Sequence, residues 1–295
     1  MLYVEPQAGP APILQVIQQA HRSVDLNVYY LSSRPVIHAL AHAVGRGVRV
    51  RVILDEHPYG MKPWQIRKEA DAVQAIGGRL HWAPTRFEAA LGRYVFDHAK
   101  YVCNGHECEI GTANFDWTAF HRNREYLDLT RNPGVVHAAM QVFQADWTGQ
   151  GAGSTPHRIL VLSPGSEAKI LSVIDQHGPV DIESEEMGND RAILDALAAK
   201  GRSARVILPA SISAQDRRNV AWLKSRGVQV RLLPKHPLYM HAKMITGKDE
   251  AFVGSENFSE ASLDRNREMG LLLHGGAIGK LQEQFNRDWA RAGET

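Results

Sequence analysis

LYMHAKMI (residues 238–245) sets a histidine and a lysine one residue apart inside an otherwise apolar run. Buried strands seldom carry two ionisable side chains, so His241 and Lys243 require a chemical reason. The same tripeptide stands 143 positions earlier as His98-Ala99-Lys100. Two longer matches keep that offset: Gly111-Thr112-Ala113-Asn114-Phe115 with Gly254-Ser255-Glu256-Asn257-Phe258, and Arg122-Asn123-Arg124-Glu125 with Arg265-Asn266-Arg267-Glu268. Phe143-Gln144-Ala145-Asp146-Trp147 pairs with Phe285-Asn286-Arg287-Asp288-Trp289 at an offset of 142. Matches that keep step over this length mark an internal duplication.

Upstream the copies still correspond. Val24-Asp25-Leu26 answers Val180-Asp181-Ile182, each after an amphipathic helical stretch, and Arg51-Val52-Ile53-Leu54 answers Arg205-Val206-Ile207-Leu208 after a second helix. Short apolar strands alternating with helices predict an α/β fold. The expectation is two similar α/β/α sandwich halves with mixed, largely parallel sheets, packed as a pseudo-two-fold dimer within one chain. The division falls in TGQGAGSTP (148–156), where Gly, Ser, Thr and Pro crowd together, giving halves 1–150 and 151–295. In Val48-Arg49-Val50-Arg51-Val52 the arginines are expected to reach solvent or pair with acids rather than to form a basic patch. The Phe and Trp of the FxxDW pair are expected to pack a terminal helix.

Composition restricts the function. The chain has 295 residues, 44% hydrophobic and 22% charged, with 34 Lys plus Arg against 32 Asp plus Glu. A formal charge of +2 announces no broad field for nucleic acid, so any anion site is local. No apolar run approaches the ~20 residues of a membrane span, and MLYVEPQ does not read as a signal peptide. The two cysteines, Cys103 and Cys108, read most plainly as small apolar strand residues in a reducing compartment; a hairpin disulfide in an exported protein is the other reading. They offer no zinc site, since a structural one wants four ligands at tight spacing. No metal and no cofactor are expected.

Residues two apart on a strand point to the same side, so His98 joins Lys100 and His241 joins Lys243. Asn114 and Asn257 fall in glycine-led turns where amides can approach an anion closely. Thr112 and Ser255 beside them are expected to line the substrate. Glu125 and Glu268 are placed to accept from an imidazole and fix its tautomer; the competing role is an ion pair with the adjacent Arg124 and Arg267. One such set makes a modest anion site. Two sets around one phosphate suit phosphodiester cleavage: lysines and amides stabilise the equatorial oxygens, a neutral histidine attacks phosphorus and a protonated one supplies the leaving oxygen.

His-x-Lys, Gly-Ser/Thr-x-Asn and Asn-Arg-Glu, each present twice, resemble the phospholipase D superfamily over essentially the whole chain. The resemblance implies a site between the halves, a covalent phosphohistidine, no metal requirement, and hydrolysis or transfer to an alcohol. It also implies His98 as nucleophile and His241 as general acid, with Lys100, Lys243, Asn114 and Asn257 binding phosphate. The chain departs from the family pattern in one respect. An aspartate is expected five residues after each lysine, where Gly105 and Lys248 stand. In the family that aspartate is thought to serve structure more than chemistry, and the tyrosyl-DNA phosphodiesterase branch lacks it, so activity is expected to survive.

The substrate is least legible. The mouth is expected to be built from 56–65, 86–97 and 234–240. Tyr59 and Trp64, beside Met61 and Lys62, suit either a lipid interface or a hydrophobic plug, and Tyr239 is expected near the substrate. A phospholipid headgroup or membrane surface is therefore the expected partner, for a phosphodiesterase that hydrolyses or transphosphatidylates phospholipids. The alternative is a metal-independent endonuclease on DNA or RNA, since aromatics and arginines also suit stacked bases; a non-catalytic phosphate-binding pseudo-enzyme is the third reading. No protein partner is implied. A secreted or periplasmic location with its signal removed is expected, with the cytoplasm as the alternative.

Overall fold

Val24, Leu26 and Val28 alternate along one strand and fill the core beneath the first two helices, while Asp25 and Asn27 turn to the other face. That alternation, repeated in the second half, decides which face of each sheet takes helices. The computed structural model describes residues 1–89 and 92–294; positions 90 and 91, inside the 86–97 stretch expected at the mouth, and position 295 lie outside the described residues.

The first half contains strands β1 (Leu2–Val4), β2 (Ser23–Val28), β3 (Arg49–Leu54), β4 (Arg79–Trp82), β5 (Lys100–Cys103), β6 (Cys108–Gly111), β7 (Asn123–Arg124) and β8 (Tyr126–Thr130). Its helices are α1 (Ala11–Gln18), α2 (Arg34–Gly45), α3 (Pro63–Ala75), α4 (Trp117–His121) and α5 (Pro133–Trp147). In the second half lie β9 (Val161–Ser163), β10 (Val180–Ser184), β11 (Ala204–Pro209), β12 (Gln229–Leu233), β13 (Tyr239–Met240), β14 (Lys243–Thr246), β15 (Ala251–Gly254), β16 (Glu268–Leu273) and β17 (Gly293–Glu294). They alternate with α6 (Ser154–Ile159), α7 (Glu167–Ile174), α8 (Arg191–Lys200), α9 (Ala214–Ser225), α10 (Glu260–Asp264) and α11 (Gly276–Arg291).

Two mixed sheets result, in two similar halves. The seven-stranded sheet runs β1-β8-β6-β5-β2-β3-β4 and the eight-stranded one β17-β12-β11-β10-β14-β15-β16-β9. Parallel pairing belongs to the βαβ units β2-β3-β4 and β10-β11-β12. The strands carrying the histidine motifs pair antiparallel, because hairpins too short for a crossover join β5 to β6 and β14 to β15. Each outer face is covered by helices over its own core. The inner faces meet: one cluster joins Tyr101, Ile110 and Phe143 to Leu162, Met269 and Leu271, and another joins Leu2 and Tyr126 to Met240, Met244 and Phe285.

The first hairpin departs from the plainer reading of its cysteines. Cys103 and Cys108 face each other across β5 and β6 and form a disulfide, both buried. Between them the Asn104 side chain accepts from the backbone N–H groups of His106 and Glu107, and Gly105 turns with φ +91°. A left-handed φ disfavours aspartate there, which gives a local reason for the missing family residue. Arg51 pairs with Asp25 at 2.8 Å and lies over Phe143 and Trp147, so this arginine is taken up by structural contacts rather than by a basic patch.

The halves are also exchanged through their arginines. The Asn-Arg-Glu stretch of each copy runs beside the segment that precedes the histidine of the other: β7 pairs with β13, aligning Arg124 with Met240, and Asp97 bridges Arg267. Fully buried Arg124 donates from Nε and Nη2 to the two carboxylate oxygens of Asp288 (2.6 and 3.0 Å); Arg267 does the same to Asp146 (2.8 and 3.0 Å). The aspartates of the FxxDW pairs therefore anchor the opposite half. Removing one partner of a buried pair leaves an uncompensated charge, so Asp288→Ala is expected to cost about 3–5 kcal/mol, read as a lower urea midpoint. The double variant Arg124→Met/Asp288→Leu should recover most of that loss; equal losses for single and double variants would show that charge balance is not what matters here.

Candidate active site

Each half delivers its histidine at the end of an interface segment and its lysine on the strand that follows. The backbone N–H of His98 donates to the Arg267 carbonyl (2.9 Å) and that of Arg267 donates to the Phe96 carbonyl (3.0 Å). Lys100 and Lys243 are fully buried, and each turns its ammonium back to the carbonyl of its own histidine, His98 or His241, at 2.7 Å. Both histidines open into one cavity of about 280 Å³, together with Asn114 and Asn257. The amide oxygen of each asparagine has no hydrogen-bond partner in the protein. Buried polar atoms left unpaired at a cavity wall are the mark of a ligand site.

The glutamates act across the interface. His98 Nδ1 lies 2.9 Å from Glu268 Oε2, and His241 Nδ1 lies 2.7 Å from Glu125 Oε1. The second contact has ion-pair distance without the alignment of a straight hydrogen bond. Glu268 is fixed by the Ser262 hydroxyl (2.6 Å) and the Asn266 amide (3.0 Å); Glu125 is fixed by the Thr112 hydroxyl (2.6 Å) and the Asn123 amide (3.0 Å). The competing role, an ion pair with the adjacent arginine, is occupied instead by Asp288 and Asp146.

Thr112 and Ser255 are a correction to the expected substrate set. Both are fully buried; the Thr112 hydroxyl serves Glu125 and the Tyr126 N–H, and Ser255 Oγ accepts from the Met269 N–H. Tyr59 does line the cavity, with its ring 72% exposed. Trp64, 60% exposed in the first turn of α3, lines a neighbouring groove with Leu31, Ile37 and Met61 instead. The plug reading fails for two rings so exposed. Tyr239 stands behind the wall, its hydroxyl 3.5 Å from Glu185 Oε1.

Glu185 is the residue the motif reading missed. Its Oε2 lies 2.9 Å from Lys243 Nζ and 3.4 Å from His241 Nε2. Continuing the match of Val24-Asp25-Leu26 to Val180-Asp181-Ile182 sets Tyr29-Tyr30 against Glu185-Glu186. The signal was therefore present in the sequence, three residues beyond Leu26 and Ile182. At the first-half position Tyr29 packs edge-on against His98 (centroids 4.7 Å) with Lys100 5.4 Å from its ring centre.

The two half-sites thus differ in charge. Burial pulls the His98 imidazole down to about 4, against the Glu268 carboxylate and with help from Lys100 and Lys243. Burial likewise draws Lys100 down to about 7 against the pull of Glu268, with Lys243 adding to the fall. Burial alone would raise Glu185, but His241 and Lys243 outweigh it and hold the carboxyl at about 2. Glu268 also lies below the usual range, because His98 and Lys100 overcome its burial.

The family model described as cardiolipin synthase, PLD-like domain, matches residues 13–147 and 171–289. No curated protein matches the sequence. Among solved structures, phosphatidylserine synthase of Haemophilus influenzae Rd KW20 superposes with a TM-score of 0.73 at 9% identity, over 100% of this chain and 87% of that one. Polyphosphate kinase from Porphyromonas gingivalis gives 0.70 at 14% identity over 97% of this chain, which spans 49% of the kinase. Nuc from Salmonella typhimurium, a phospholipase D family member, gives 0.44 at 20% identity over 50% of this chain and 93% of that one. The first two share this fold; identities so low carry nothing about substrate.

A buried neutral imidazole has a titration signature. The His98 ring is expected to titrate near 4 in NMR spectra of the folded protein, and lower still in Glu268→Gln, which removes the favouring anion. The unfolded chain takes up this proton near 6.5, before the native state does, so the His98 contribution to stability falls as pH drops from about 6.5 towards 4. A His98 midpoint near 6.5 would contradict the electrostatic picture.

Proposed function

The chain belongs to the cardiolipin synthase-type, phospholipase D-like family, and from that membership we propose that it is a phosphodiesterase acting through a phosphohistidine on His98, with phospholipids as substrates. The observation that carries the reaction is two histidines of unlike environment opening into one cavity.

The roles follow from hydrogen bonding. Glu268 accepts from Nδ1 of His98, which fixes the proton there and leaves the Nε2 lone pair free to attack phosphorus. The N–P bond forms as the P–O bond to the leaving group breaks. His241 stands between two carboxylates, Glu125 at Nδ1 and Glu185 at Nε2, an arrangement suited to a ring with two N–H groups. Its Nε2 proton passes to the departing oxygen. Water or an alcohol then attacks phosphorus, returns a proton to His241 and releases His98. Lys100, Lys243, Asn114 and Asn257 stabilise the equatorial oxygens.

The lipid assignment rests on the mouth. Tyr59, Tyr94 and Trp64 are exposed at 72, 61 and 60%, unusual for large rings unless a surface receives them. Beside them lies a groove lined by Leu31, Ile37, Met61 and Trp64, suited to acyl chains. With a net charge of +2, nothing comparable favours a polynucleotide track. The Cys103–Cys108 disulfide supports an exported location.

In EDTA, phospholipid mixed micelles are expected to be turned over while plasmid and single-stranded DNA survive; DNA cleavage without lipid turnover would overturn the lipid assignment. His98→Asn should abolish both turnover and the covalent phosphohistidine adduct that a denaturing, alkaline quench of the active protein preserves. His241→Asn should slow ester cleavage by roughly 10²–10⁴-fold yet retain far more activity on bis(4-nitrophenyl) phosphate, whose leaving group needs no proton. Equal losses on both substrates would remove His241 from the acid role.

A further inference from the structure

Outside the phosphate site, the cavity has two walls of opposite chemistry. The first-half wall is a run of rings in contact: Tyr59 with Tyr94 (centroids 6.4 Å), Tyr94 with Phe96 (4.9 Å), Phe96 with Tyr29 (6.0 Å) and Tyr29 with His98 (4.7 Å). It leads from solvent to the imidazole assigned as nucleophile. The outer end is pinned: the Tyr59 backbone N–H donates to the Tyr29 hydroxyl (2.6 Å), and the Tyr30 hydroxyl donates to the Tyr59 carbonyl (2.6 Å). The backbone that carries Tyr59 is therefore fixed by Tyr29 and Tyr30.

The second-half wall carries Glu185 and Glu186, at the positions where the first half has Tyr29 and Tyr30. Glu185 is answered by Lys243 and His241. Glu186 fares differently. Burial, Glu185 and Asp216 push its carboxyl up to about 7, although Lys243 and the Ser259 hydroxyl work against them. It is a carboxyl short of positive charge, lining the same cavity as Tyr94 and Tyr59.

Carboxylates at the mouth of a phosphate site are costly for a substrate carrying further anions, such as the next phosphate of a polynucleotide. They favour a substrate whose neighbouring group is cationic, and aromatic faces beside a carboxylate are the chemistry that retains alkylammonium ions. We propose that Glu186, Tyr59 and Tyr94 form a subsite for an alkylammonium group carried next to the reacting phosphodiester, as in an ethanolamine or choline ester. This rests on the phosphodiesterase function above and narrows its substrate.

The test uses hydrolysis of bis(4-nitrophenyl) phosphate by the full chain, inhibited by O-phosphoethanolamine, phosphocholine or glycerol 3-phosphate. The ammonium-bearing esters are expected to inhibit about tenfold more tightly than glycerol phosphate, a difference of the size such contacts supply. That ratio should fall several-fold in Glu186→Gln and in Tyr94→Leu and largely return in Glu186→Asp; a variant that merely folds badly lowers all rates and leaves the ratio alone. Phosphatidylethanolamine against phosphatidylglycerol in micelles tests a departing ammonium, and ethanolamine against glycerol as acceptor from phosphatidylglycerol tests an incoming one. Preference in either arm supports the subsite. Equal inhibition and equal turnover throughout overturn the subsite while leaving the phosphodiesterase standing; no turnover of any phosphodiester overturns both.

Discussion

Two buried arginine–aspartate pairs join the halves of this molecule around its candidate site. Arg124 reaches Asp288 and Arg267 reaches Asp146, each crossing from one copy of the duplication to the other with bidentate geometry. A guanidinium taken fully out of water must be met by a planar pair of acceptors, and here the acceptor always belongs to the opposite half. The crossing fixes the Asn-Arg-Glu segment against the strand that delivers the other half's histidine. Glu268 therefore meets His98, and Glu125 meets His241. Neither half holds a complete site.

Duplication alone would give two equal histidines, whereas the proposed reaction calls for one neutral and one protonated ring. The inequality comes from a single pair of corresponding positions. Tyr29 gives His98 an aromatic, poorly solvated neighbour, whereas Glu185 gives His241 and Lys243 a counter-charge. Low effective dielectric strengthens such contacts, so one change of residue type gives the twin motifs unlike surroundings. The same asymmetry extends outward, where Tyr30 and Glu186 continue the aromatic and acidic walls.

The positions of the missing motif aspartates lie in hairpin turns. In the first half the position belongs to a tight turn at Gly105, whose positive φ and Asn104 cap serve a hairpin already closed by a disulfide. In the second half Lys248 is exposed at the corresponding turn. The anchoring that matters to the histidines comes from the glutamates and arginines across the interface, not from the hairpin tips.

Much of this was legible in the sequence because its information is periodic. Strand alternation puts each lysine on the face of its histidine, and the constant offset declares two copies of one unit, so the fold class, His98, His241, Lys100, Lys243, Asn114 and Asn257 could all be named from spacing. The residues that spacing misassigned show its limit. Thr112 and Ser255 sit beside the asparagine turns in sequence, but their hydroxyls are buried and serve Glu125 and the Met269 N–H. Which glutamate serves which histidine, which aspartate meets which arginine, and that Glu185 closes on His241 were decided only when the halves packed. A linear chain specifies which side chains share a face of one strand; contacts across an interface depend on two surfaces meeting, and no local period encodes that.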